Sequence, residues 1–125
     1  MLELRMTVKE INHLISNGES LTLEFKSCQN QLSESVFESV CAFLNRSGGH
    51  ILLGVTDQGD VLGVKETAIE GLLKNLANVV NNPQQLNPTS YFSPEVIDMD
   101  GKKVIRIYVP ESSQVHRFKN QRYYT

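Results

Sequence analysis

The stretch Ala42–Val64, AFLNRSGGHILLGVTDQGDVLGV, restricts what this chain can fold into more than any other. Its 23 residues set out a helix end, a Gly-Gly turn, an apolar run, a polar turn and a second apolar run. Just upstream, Val36, Phe37, Val40, Cys41, Phe43 and Leu44 recur at helical spacing with a broad apolar face. A helix is therefore expected over Ser33–Asn45, with Ser33 as its cap and Glu34 near its positive end. Asn45–Gly49 closes it, because glycine accepts the positive φ of a helix C-terminus. His50–Val55 reads as a central strand, Asp57-Gln58-Gly59-Asp60 as a turn, and Val61–Val64 as a return strand pairing in a hairpin.

The flanks follow the same logic. Thr7–Ser16 reads as a short helix, with Thr7 and Glu10 as a capping box and Gly18 at its end. Leu21–Lys26 alternates, placing Leu21, Leu23 and Phe25 on one face of a strand and Thr22, Glu24 and Lys26 on the other. Thr67–Val80 is a second amphipathic helix, with Ile69, Leu72, Leu73, Leu76 and Val79 on its apolar face and Asn81, Asn82 and Pro83 as its stop. Asn87–Pro94 reads as a loop or the start of an edge strand. Val96–Met99 and Lys103–Val109 are strands joined at Asp100-Gly101. Pro110–Gln121 is polar and expected to be mobile, and a last strand is expected at Tyr123. The order is α-β-α-β-β-α-β-β(-β), an α+β fold with helices packed on a mixed β-sheet.

At 125 residues with 40% hydrophobic and 21% charged residues, the chain suits one globular domain, 1–125. It ends in what reads as mid-strand, so a domain cut from a longer protein is expected. No run is long and apolar enough to span a membrane and the N-terminus lacks a signal-peptide core, which points to the cytoplasm. Cys28 and Cys41 are expected as reduced thiols. His13, His50 and His116 are scattered, which argues against a zinc cluster.

The net charge of −2 hides an asymmetry. Lys102, Lys103, Arg106, Arg117, Lys119 and Arg122 face only Glu111 within residues 101–125, a net +5, against −7 for residues 1–100. Such a segment is either an electrostatic footprint for an anionic partner or a set of solvated hairpin charges. Tyr91, Phe92, Tyr123 and Tyr124 near it suit single-stranded base stacking, or are simply strand tyrosines with one wet end.

Gly54-x4-Gly59 is followed by Asp60-Val61 and a strand, where a phosphate-binding loop needs Lys, then Ser or Thr, and a helix. Charge and context thereby argue against an ATP site. Glu19, Glu24 and Asp57, with Lys26, are the parts of a divalent-metal phosphodiesterase site if the two strands are neighbours. The alternative is a solvent-facing Glu–Lys pair beside a turn aspartate.

Glu19–Cys28 (ESLTLEFKSC), Val40–Val64 (VCAFLNRSGGHILLGVTDQGDVLGV), Lys102–Ser112 (KKVIRIYVPES) and Arg122–Thr125 (RYYT) together resemble the Schlafen/AlbA-type DNA-binding domain, over nearly the whole chain from Glu19. The resemblance implies an Alba/Schlafen-like α+β fold, homodimerisation, and nucleic-acid binding, DNA before RNA, within bacterial transcriptional-regulator or helicase-related proteins. It also implies, for members with nuclease activity, that Glu19, Glu24 and Asp57 are the catalytic and metal-holding carboxylates, with magnesium or manganese. No other cofactor is implied. The leading expectation is a nucleic-acid-binding module that touches phosphates through Lys102, Lys103, Arg106, Arg117, Lys119 and Arg122, with Lys26 and Arg46 in support. The alternatives are a metal-dependent ribonuclease and a ligand-free dimerisation domain.

Overall fold

A four-stranded sheet separates two apolar layers, and the alternation of side chains along its strands decides which layer each joins. The computed structural model describes residues 5–124. In chain order the elements are α1 (Val8–Asn17), β1 (Leu23–Lys26), α2 (Glu34–Asn45), β2 (Gly49–Leu53), α3 (Ile69–Val80), β3 (Leu86–Asn87), β4 (Glu95–Met99), β5 (Lys102–Val109), β6 (Arg117–Phe118) and β7 (Gln121–Arg122). The main sheet runs β1-β2-β5-β4, with β1 parallel to β2 and the other pairs antiparallel; β3-β6-β7 form a second, smaller sheet. Three helices on a mixed sheet make this an α+β fold.

Ile51, Leu53, Ile105, Ile107 and Val109 point to the layer of α2 and α3; Leu23, Phe25, Leu52, Val104, Ile97 and Met99 point to the layer of α1 and its Ile11. Helix α1 starts at the expected capping box: the Glu10 amide donates to Thr7 Oγ1 at 3.1 Å and the Thr7 amide to Glu10 Oε1 at 2.9 Å. The broad apolar face of α2 has a physical reason, because it is covered on two sides. It lies on the main sheet and under the small one, where Phe37 stacks on Phe118 at 5.8 Å.

Several expectations need correcting. Leu21 is 75% exposed, because the chain turns tightly between Ser20 and Leu23 and the strand begins only at Leu23. Ser33 stands at the start of α2, but its hydroxyl meets Ser35 Oγ at 2.7 Å instead of capping a helix amide. The hairpin over His50–Val64 reduces to one bridge, Val55 to Val61, since β1 and β5 already fill both edges of β2. Val64 instead bridges Lys103. A 3-10 turn, Glu66–Ala68, precedes α3. Residues 110–121 carry structure: they include β6, with His116 and Phe118 buried. The last strand is Gln121–Arg122, one residue before Tyr123. None of the described helices is long and apolar enough to cross a membrane.

Candidate nucleic-acid interface

The small sheet presents its basic residues on one face. In the β6–β7 hairpin Arg117 stands opposite Arg122 and Phe118 opposite Gln121; across β3, Asn87 stands opposite Arg117 and Leu86 opposite Phe118. Leu86 and Phe118 are buried against α2, so Asn87, Arg117 and Arg122 share the outer, exposed face. Lys119 and Asn120 form the turn, with φ of 50° and 67°. The Lys119 ammonium pairs with Glu34 on the first turn of α2 and lies 5.6 Å from the Phe118 ring centroid.

One side chain that the sequence reading did not single out holds this hairpin in place. Asn45 Oδ1 accepts the His116 amide at 2.6 Å, and its Nδ2 donates to the carbonyls of His116 at 2.9 Å and Tyr123 at 2.8 Å. His116, 3% exposed, adds a second anchor: Nδ1 donates to the Pro88 carbonyl at 2.7 Å and Nε2 meets Ser112 Oγ at 2.7 Å. Asn45→Ala is expected to cost about 3 kcal/mol, because it strips partners from partly buried backbone groups. Amide hydrogen exchange at Arg117–Tyr123 should speed up in that variant; unchanged protection there would remove the anchoring role.

The cations expected to meet phosphate fall into two groups. Lys102, Arg117 and Arg122 are exposed, and their side chains make no hydrogen bond or ion pair among the described residues. The others are engaged. Lys26 donates to Ser35 Oγ at 3.2 Å and lies 3.8 Å from Glu24 Oε2. Arg46 sits 5.1 Å over the Phe43 ring and donates to the Ala42 carbonyl at 3.4 Å. Lys103 pairs with Asp98 at 3.0 Å; that hydrogen bond and one from the Gly101 amide hold the Asp98 carboxyl below its ordinary range. Arg106 departs furthest from the expectation. It is 2% exposed, its Nε bonds Glu95 Oε1 at 3.0 Å, and its Nη1 meets His50 Nδ1 at 3.3 Å. A buried guanidinium committed to a carboxylate is a packing element, not a phosphate contact. Burial and then the Arg106 charge push the His50 pKa down, so the imidazole is neutral and accepts from Arg106. A cleft of about 890 Å³ opens beside this trio, with Tyr91, Phe92 and Tyr108 in its walls.

The carboxylates expected to hold a metal do not assemble into such a site. Glu19 Oε2 accepts the Phe25 amide at 2.9 Å. The carbonyls of Thr22 and Lys26 point at β2, so that amide lies on the open edge of the sheet, and Glu19 closes it. Glu24 Oε2 is shielded from water, makes no hydrogen bond among the described residues, and lies 3.8 Å from the Lys26 ammonium. Asp57 is exposed in the turn that the Asp60 amide closes on Thr56 Oγ1 at 3.0 Å. Among the described residues no three of His, Cys, Asp and Glu gather as metal ligands. Magnesium or manganese therefore does not fit these residues as placed. The glycines of the opening stretch are structural too. A Cβ on Gly54 would lie 3.0 Å from the Gly63 backbone, and the amides of Leu62 and Gly63 both donate to the Gly54 carbonyl.

Among solved structures, the N-terminal domain of a RecG-related protein from Nitrosomonas europaea matches with a TM-score of 0.64 at 23% identity, over 86% of this chain and 74% of that one. The DIP2311 protein of Corynebacterium diphtheriae matches with a TM-score of 0.56 at 13% identity, over 91% of this chain. The chain spans only 24% of that protein's length. At these identities the likeness is one of fold. No curated protein matches the sequence. The family model described as Schlafen, AlbA_2 matches residues 19–125, from the Glu19 that closes the sheet edge to beyond the arginine hairpin. The chain therefore belongs to the Schlafen AlbA_2 family.

Proposed function

We propose that this domain binds nucleic acid, DNA ahead of RNA, as a module of a bacterial transcriptional regulator that works in the cytoplasm as a homodimer. The observation that carries the reading is the Arg117–Arg122 pair. Like charges directly opposite each other on neighbouring strands repel. Here two guanidinium groups share an exposed face with no anion beside either among the described residues. A phosphate between them would relieve the repulsion and take two charge-assisted, fork-shaped contacts. Lys102 supplies a further uncommitted cation at the start of β5. The family supports the reading, as does a fold neighbour named for its relation to an ATP-dependent DNA helicase. The carboxylate geometry favours no nuclease.

Such contacts release counterions, so affinity falls steeply with salt. Fluorescence anisotropy of a labelled oligonucleotide across a salt series is the measurement. Arg117→Ala with Arg122→Ala should weaken binding at least about tenfold at low salt and flatten the log–log salt slope by about one to two units. No binding at low salt, or binding that ignores the double substitution, overturns the reading.

A further inference from the structure

The β6–β7 ladder ends at the Arg117–Arg122 pair; at the next step the Asn45 amide, rather than a strand-to-strand hydrogen bond, takes the His116 amide and the His116 and Tyr123 carbonyls. Two residues before Arg117 and two after Arg122 lie Val115 and Tyr124. Burial follows the alternation: Val115 and Tyr124 are exposed, at 53% and 45%, while His116 is buried and Tyr123 packs on Phe118 at 6.5 Å. Asn45 keeps the two chains together at this step, because its Nδ2 donates to carbonyls on both. The exposed side thus carries the paired arginines and, two residues along each chain, an exposed tyrosine ring and an exposed aliphatic side chain.

We propose that this face is a platform for single-stranded nucleic acid, with a phosphate between Arg117 and Arg122 and an unpaired base on the Tyr124 ring. The inference rests on the nucleic-acid reading above and narrows it from any duplex or strand to the strand. Duplex bases are already stacked on one another and present only edges and phosphates, so an exposed ring beside a phosphate clamp has nothing to stack on there. A single strand offers a base face and a phosphate within one nucleotide, and stacking on an aromatic side chain is indifferent to which base it is. Charge selects the occupant: an apolar peptide would leave the arginine pair unrelieved, whereas a polyanion with flat apolar faces satisfies both the arginine pair and the exposed Tyr124 ring.

The test uses the whole 125-residue chain and three labelled probes of equal length: a single strand, its duplex, and a strand whose sugars lack bases. The single strand should bind at least about tenfold tighter than the duplex. Tyr124→Ala should cost about tenfold on the base-bearing strand and nothing on the abasic one, while Tyr124→Phe keeps the affinity. Tyr124 is exposed, so a matching urea midpoint is expected for each variant. Equal binding of strand and duplex that still depends on the arginine pair overturns this inference and leaves the broader reading standing. An equal loss on the abasic strand overturns it as well. Full displacement by a polyglutamate of matched charge points to an acidic peptide and overturns it too. Binding to none of the probes removes both readings together.

Discussion

Gly48→Ala is expected to destabilise the domain by about 3–4 kcal/mol. Gly48 follows α2 with φ of 76°, and its amide closes the helix on the Phe43 carbonyl at 2.9 Å. A Cβ there would lie 2.6 Å from the Val109 carbonyl oxygen, 2.8 Å from the Glu111 nitrogen and 3.1 Å from the Pro110 carbonyl carbon. All three are backbone, so nothing nearby can rotate away. The left-handed conformation costs alanine about 1–2 kcal/mol, and overpacking adds about 1–3 kcal/mol. Gly71→Ala is the internal control: it lies within α3 with nothing within 4 Å of its Cβ position, and should be neutral or stabilising by up to about 1 kcal/mol. Urea denaturation reads both. Equal midpoints for the two variants would refute the close-approach argument.

Glu95→Ala should cost about 3 kcal/mol for a different reason. The Glu95 and Arg106 side chains are 11% and 3% exposed, and Glu95 Oε1 also accepts the Met6 amide at 3.3 Å. Removing one member of a buried ion pair leaves the other desolvated without that partner, which is far worse than replacing both. Glu95→Leu combined with Arg106→Leu should therefore lose less than Glu95→Ala alone. A Glu95→Ala loss under about 1 kcal/mol would mean the pair contributes no more than a surface salt bridge.

The elements set by local chemistry were readable in advance. The Thr7/Glu10 capping box starts α1 at its expected place, and Asp100-Gly101 joins β4 to β5. The heptad-like spacing from Val36 to Leu44 marks α2, because period and cap are properties of neighbouring residues. The readings that went astray each depended on a competitor elsewhere in the chain. Val61–Val64 has strand chemistry, yet β1 and β5 occupy both edges of β2. Residues 110–121 look polar, yet His116 and Phe118 alternate inward beneath the small sheet. Asn45 looks like an ordinary helix terminator, and nothing local signals that its amide clamps a hairpin some seventy residues away.

The candidate site divides along the same line. Composition alone placed the positive charge in residues 101–125, and motif alone placed the chain in its family. Which cations remain uncommitted is a matter of partners. Arg106 and Arg117 are indistinguishable as letters in a basic segment; one is buried against Glu95 and the other faces solvent opposite Arg122. Glu19 likewise carries a carboxylate that motif assigns to chemistry and the fold spends on an edge amide. Sequence by itself determined the helices, the turns, the α+β class and the sign of the C-terminal charge, since these follow from periodicity, backbone preference and counting. Tertiary structure decided strand pairing, the outward arginine face and the fate of each carboxylate, since these depend on which distant groups arrive within hydrogen-bonding distance and which are left facing water.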